Sequence, residues 1–321
     1  MHALKRFEAM GGARTQWTWC VPLLVLLALV CAVGLAQPSF LSLGSLGLLA
    51  GESSVILLLA TAQTLVIMLG GIDVSVAAMA ALASVLMALA LPSTGWVGLL
   101  GVLGLTTLLG AFQGFVHARA RVPSVVVTLA GLGMWSGLAL MVAGATVPVG
   151  EGHATVSWLE GSSWGVHHSF AFAMAALLLV AVAQHWLPFG RRVRAIGLNP
   201  VAARLSGIRV GRVKVIAFAL TGLFAGLAAM TMVARTASGS PTIADSLLLP
   251  SIAAVLIGGT AITGGKGGVV RTLIGALTVT VLRVGIAATG LNAAYEPIAY
   301  GILVVVAAGL VADRAPHSSV K

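Results

Sequence analysis

Residues 47–91 read GLLAGESSVILLLATAQTLVIMLGGIDVSVAAMAALASVLMALAL, two apolar runs (47–69 and 73–91) separated by Gly70-Gly71 and followed by Pro92-Ser93. Each run is about twenty residues long, the length an α-helix needs to cross a hydrocarbon core ~30 Å thick. Neither alternates apolar and polar residues, so membrane-barrel strands are excluded. The same reading along the chain predicts ten spans, near 17–37, 47–69, 73–91, 96–117, 123–147, 169–188, 215–235, 247–263, 269–288 and 297–312. Composition agrees. The 321 residues are 59% hydrophobic and only 8% charged, whereas soluble domains carry about 25% charged residues. The expectation is an all-α, polytopic integral membrane protein with one transmembrane domain over 17–312. Short segments, 1–16 and 313–321, flank it.

The charge distribution sets the orientation. The formal net charge of +10 would suggest a nucleic-acid partner in a soluble protein. In a membrane protein it first marks cytoplasmic loops, which collect Lys and Arg, and no nucleic acid is expected. Seven of the eighteen Lys and Arg residues fall within 190–214, GRRVRAIGLNPVAARLSGIRVGRVK. With the N-terminus inside and ten spans, sixteen of the eighteen lie in or beside inside segments; only Arg235 and Arg283 do not. Both termini are therefore expected in the cytoplasm, with 189–214 as a cytoplasmic loop. Lys5, Arg6 and Arg14 precede an apolar run of about twenty residues. A signal-peptide core is ~7–15 residues, so this run is expected to be a retained first span.

Few residues offer chemistry. Cys20 and Cys31 share one predicted helix, roughly 16 Å apart at 1.5 Å per residue, too far for a disulfide. The seven histidines are scattered, and no spacing resembles a metal site. GGTAITGGKGG (258–268) fails the phosphate-loop pattern, with Thr260 where the first Gly belongs and Gly267 where Ser or Thr belongs. It reads as a tight turn, and no cofactor is expected on this chain. LVIMLGGIDVS (65–75) and AAVLIGGTAIT (253–263) look alike, as paired Gly-interrupted segments do in transporters with internal repeats, though no constant offset links the rest of the two halves. Asp73 has two readings: a cap accepting from free backbone N–H groups at the start of the third helix, or a charge on the solute path. Arg283, deep in the ninth span, is expected to face a cavity, snorkel or pair with Glu296, Asp245 or Glu52.

Four blocks in order, GGIDVSV (70–76), VPSVVVTLAGLGMWSGLALMVAG (122–144), FGRRVRAIGLNPVAARLSGI (189–208) and LIGGTAITGGKGGVVRTLIGAL (256–277), closely resemble the permease subunits of ribose-type ATP-binding cassette (ABC) importers. The resemblance runs from about residue 50 to 312, with departures at Ala77, Pro200-Val201 and Arg271. It implies a multi-pass protein of the bacterial cytoplasmic membrane that pairs with a second permease copy or a paralogue. The solute, a pentose, hexose or related polyol, would come from a periplasmic or surface solute-binding protein. A separate ABC ATPase, holding ATP with Mg, would supply the power.

Asn199-Pro200 reads as a helix start, Asn as N-cap and Pro at the first position, with Gly207 as its stop. By resemblance this short helix is the coupling helix that docks on the ATPase, through Asn199, Ala202, Ala203, Arg204, Ser206 and Gly207. Small residues at 203 and 207 are expected to allow close approach of the partner. The flanking arginines are expected to meet acidic groups on that partner or lipid headgroups. Gly70, Gly71, Asp73, Thr128 and Arg283 are the candidates for the solute path or its gating. An ion-coupled secondary transporter is the alternative from another class, with Asp73 as nearly its only candidate acid.

Overall fold

The computed structural model describes residues 20–311; the flanking segments 1–16 and 313–321 lie outside them. The described chain is predominantly helical: α1 (Cys20–Ala36), α2 (Leu43–Met68), α3 (Val76–Ala120), α4 (Ser124–Val142), α5 (His168–His185), α6 (Pro188–Leu198), α7 (Pro200–Leu205), α8 (Val210–Thr236), α9 (Leu248–Ile257), α10 (Val269–Ala288) and α11 (Glu296–Val311). Among the described residues six helices, α2, α3, α4, α5, α8 and α10, are long and apolar enough to cross a membrane. Two small antiparallel ladders qualify the all-α expectation. β1 (Val147–Pro148) pairs with β4 (Ser238–Gly239), and β2 (Ser162–Ser163) with β3 (Val166–His167).

The 45 residues of α3 are not one rod. Gly95 leaves the helical region at φ 51°, ψ −126°, just after Pro92. A straight helix would put Ser75 and Gln113 roughly 57 Å apart. Instead Gln113 Nε2 donates to Ser75 Oγ at 2.9 Å, so the chain doubles back at Gly95. This is the break read from Pro92-Ser93 in the sequence. α3 packs closely on α8, through its second half at the contacts that follow. A Cβ on Gly110 would stand 2.2 Å from the Phe218 carbonyl, and one on Gly222 2.0 Å from that of Thr106. Without a hydrophobic driving force between helices in lipid, such small-residue contacts hold a bundle together.

At the centre stands α2, buried continuously from Ser53 to Met68, as expected of a helix that is apolar all round. Its hydroxyls are satisfied. Thr61 and Thr64 donate to the carbonyls four residues back at 2.7 Å, and Thr64 Oγ1 meets Thr272 Oγ1 of α10 at 2.7 Å.

Two expectations are corrected. The span expected over 247–263 is helical only over Leu248–Ile257, because Gly258-Gly259 end the helix. At 1.5 Å per residue those ten residues reach about 15 Å, half a hydrocarbon core. The segment 189–214, expected as a loop with one short helix, also holds the eleven-residue α6. Its buried positions, Gly190, Val193 and Ile196, fall three apart on one face, while Arg191 and Arg192 are exposed. That is an amphipathic surface helix.

Candidate functional site

The basic end of the molecule is built around two matching turns. At the end of α2, Gly70 N–H bonds the Ile67 carbonyl at 2.9 Å and Gly71 N–H that of Val66 at 3.1 Å. At the end of α9, Gly259 N–H bonds Leu256 O at 2.9 Å and Thr260 N–H bonds Val255 O at 3.2 Å. Both are Schellman stops, and Gly70 (φ 78°) and Gly259 (φ 83°) supply the left-handed residue each requires. The likeness of LVIMLGGIDVS to AAVLIGGTAIT is thus the likeness of two helix stops. They also meet, because Gly265 N–H donates to the Met68 carbonyl at 2.9 Å.

After its turn the chain runs non-helically from Leu69 to Ser75, and neighbouring helices satisfy its backbone. Ser124 Oγ of α4 accepts from Ile72 N at 3.1 Å, and Thr128 Oγ1 accepts from Val74 N at 3.2 Å. Gln63 of α2 brackets Asp73: its Nε2 donates to the Asp73 carbonyl, and its Oε1 accepts from Asp73 N at 3.4 Å. The fully buried Asp73 carboxylate accepts through Oδ1 from Ser75 N at 2.9 Å and Ser75 Oγ at 2.6 Å. Thr221 and Val76 lie beside it, but Oδ2 makes no hydrogen bond of ordinary geometry among the described residues. Asp73 therefore stands two residues before the N-cap Ser75 and ties down the entry to α3. Gln63 and Gln113 complete this polar knot; they are uncharged residues inside apolar runs, and a search for titratable groups passes over them. Between the knot and the surface lies a cavity of about 380 Å³, bounded by Gly70, Gly71, Ile72, Ser124, Lys214 and Phe218 among others.

Beyond the turns project α6 and α7. Asn199 Oδ1 accepts from Val201 N and Ala202 N, both at 3.0 Å, with Pro200 at the first helical position, so the cap read in the sequence is present. The stop is present too. Gly207 (φ 81°) bonds the Arg204 carbonyl at 3.0 Å, and Ile208 N–H that of Ala203 at 3.1 Å. Two details add to the reading of this helix. Ala203, expected at the docking face, instead faces inward, in a cluster with Met68, Val193, Ile196, Val210 and Val213, and packs the helix onto its own chain. Gly207 has open space where a Cβ would stand, and its left-handed backbone angle by itself favours Gly. Asn199, Ala202, Arg204 and Ser206 are exposed. So are the apolar Val201 and Leu205, at 66% and 85%, which sequence reasoning missed.

Of the expected path residues, Gly70, Gly71, Asp73 and Thr128 come together, and Arg283 does not join them. It stands at the opposite end of the molecule, its Nε 3.7 Å from Glu296 Oε2, the first of the partners expected for it. Nearby, Arg235 pairs with Glu52. Arg235 and Arg283, the two basic residues left over by the charge count, line one cavity of about 240 Å³ with Glu52. Among the described residues no group of three His, Cys, Asp or Glu side chains is arranged to hold a metal ion.

A buried polar knot at interrupted helices lies beneath an exposed capped helix, a broken-helix arrangement of the kind that transporters use. Sequence comparison agrees. The family described as "Branched-chain amino acid transport system / permease component" matches residues 45–308. The chain belongs to this permease family. The permease is also 33% identical over 291 residues to the ribose import permease protein RbsC of Escherichia coli (strain K12), covering 89% of this chain and 91% of that one. To the RbsC of Bacillus subtilis (strain 168) it is 35% identical over 290 residues, covering 89% and 90%. To the fructose import permease protein FrcC of Rhizobium meliloti it is 31% identical over 305 residues, covering 90% and 84%. The permease is a multi-pass membrane protein and a transporter component.

Proposed function

We propose that this permease is the membrane subunit of a bacterial ABC importer for a monosaccharide, a pentose, hexose or related polyol, in the cytoplasmic membrane. The family description names branched-chain amino acids, whereas the relatives matched over nearly their whole length are named for ribose and fructose, and we follow the relatives. Their names support the ABC importer over the ion-coupled alternative. The solute arrives on a binding protein, a separate ATPase supplies the work, and a second permease copy or paralogue completes the membrane part. ATP and Mg belong to the ATPase.

The proposed topology has ten crossings with both termini cytoplasmic. The doubling of α3 at Gly95 supports seven crossings from six long helices. The shorter apolar helices α1 and α11 supply two more, and the half-length α9, together with the non-helical chain that flanks it, supplies the tenth. Orientation rests on the basic residues around α6 and α7, which belong inside.

The observation that carries the coupling role is α7 itself, a capped and stopped helix at the basic end. Its inner face is packed, and its outer face leaves Val201, Arg204 and Leu205 exposed among the described residues. Exposed apolar side chains rimmed by charge suit a protein groove. The test is Leu205→Asp, alone and with Val201→Asp. The variants should insert at normal levels, yet retain the ATPase at least tenfold less well and lose solute-stimulated ATP hydrolysis. Normal retention of the ATPase by the double variant would contradict docking through α7.

A further inference from the structure

The cavity at the end opposite α7 has the composition of a solute site. Glu52 of α2, Arg235 of α8 and Arg283 of α10 line it, with Ser246 from the segment before α9, over an apolar wall that includes Ile56 and Met232. Arg235 pairs with Glu52, and Arg283 with Glu296, so the charges balance. Both Arg235 and Glu52 keep more than a third of their side-chain surface exposed. An ion pair this exposed adds little to stability, so fold stability does not explain Arg235 at the end that the positive-inside bias leaves poor in basic residues.

We infer that this cavity is a first binding station for an uncharged polyhydroxylated solute on the side from which the permease is loaded. The inference rests on the importer reading above, and on the orientation that places this end outside. Sugar recognition requires groups that both donate to and accept from neighbouring hydroxyls. A carboxylate accepts two such hydrogen bonds, a guanidinium donates in a fixed fork, and Ser246 can do either. Ile56 and Met232 offer an apolar wall for the C–H face of a sugar ring, in the usual mixture for small-molecule sites. At about 240 Å³ the cavity falls just below the range of roughly 300–1,000 Å³ typical of such sites, which suits a small solute. Balanced charge favours a neutral ligand over a sugar phosphate. A solute that donates to Glu52 and accepts from Arg235 competes with their pairing, which couples occupancy to the separation of α2 and α8.

The test uses the full chain in nanodiscs with Cys20 and Cys31 replaced by Ser, and Ser246→Cys or Thr236→Cys as reporters at the cavity. Labelling by an impermeant maleimide is timed in D-ribose, D-fructose or L-isoleucine, with Ser163→Cys, on the exposed β2–β3 hairpin at the same end but outside the cavity lining, as the control. At least one sugar should slow labelling in the cavity threefold or more, with no effect at 163 and none from isoleucine. Adding Glu52→Gln should weaken that protection. Absence of protection by both sugars at both reporters would overturn the site, and protection by isoleucine alone would overturn the solute class. Sugar uptake by the complete wild-type assembly is measured beside it. Uptake without protection removes only this site, whereas ATP-driven uptake of isoleucine and of no sugar removes the importer reading on which it rests.

Discussion

Gly197 of α6 and Gly265 of the turn after α9 meet backbone to backbone. A Cβ on Gly197 would lie 2.3 Å from the Gly265 nitrogen and 2.0 Å from the Met68 carbonyl that this nitrogen hydrogen-bonds. Three stretches distant in sequence, the ends of α2 and α6 and the 264–268 turn, thereby share one joint. The joint seats α6, and through it α7, on the helices of the polar knot. The joint places α6 and α7 in rigid contact with backbone next to Gly70, which is the contact the proposed coupling would use.

Gly197→Ala should force that joint apart. Overpacking of this kind costs about 1–3 kcal/mol, and here all the clashing atoms are backbone. The purified variant should melt at a clearly lower temperature than wild type and stimulate the ATPase poorly. Gly207→Ala is a separate case, with open space but a left-handed backbone, a strain of about 1–2 kcal/mol that Gly207→Asn should relieve in part. Equal stability of Gly197→Ala and wild type, read by thermal unfolding in detergent, would contradict the joint.

Asp73→Asn should separate the two readings of this carboxylate. Asn keeps an oxygen to accept from Ser75 N and Oγ, so a purely structural Asp73 predicts near-normal insertion and most of the transport. Asp73→Ala leaves the buried Ser75 N–H without its acceptor, a loss of about 1–3 kcal/mol, and should lower both membrane yield and uptake. We expect uptake to rank wild type, Asn, Ala, with the Asn variant within threefold of wild type. A correctly inserted Asn variant as inactive as Ala would assign the charge itself to transport.

What the sequence made legible was local chemistry. The Gly70-Gly71 stop, the break at Pro92 to Gly95 and the Asn199-Pro200 start each depend on residues within a few positions of one another, and each is present. Hydropathy delimited the long helices for the same reason. Facing directions were not legible. A six-residue helix is too short for a period to show which side of Ala203 is buried, and α6 decides it. Glu52 and Arg235, 183 residues apart, are paired only by the packing of α2 on α8. The length of α9 is not legible because Ala261 and Ile262 continue the apolar run after Gly258-Gly259 have ended the helix.

Orientation is open to single-cysteine labelling in a background lacking Cys20 and Cys31. Arg204→Cys on α7 should react with an impermeant thiol reagent only after the membrane is opened. Ser163→Cys, on the exposed hairpin turn, should react from outside intact cells. Gly239 would be a poor reporter, because a side chain there would stand 2.2 Å from the Ser84 carbonyl. Labelling of position 204 in intact cells would reverse the topology.

The central claim is that this chain moves a monosaccharide through a pore driven from α7 by a partner ATPase. Uptake of radiolabelled sugar into proteoliposomes tests it most directly. These carry the permease, its ATPase and its binding protein, with ribose and fructose as the first solutes. The account predicts uptake that requires binding protein and ATP together, survives collapse of proton and sodium gradients, and is abolished by Leu205→Asp on α7. Uptake driven by an ion gradient without ATP, or ATP-driven uptake untouched by the α7 variant, would contradict it.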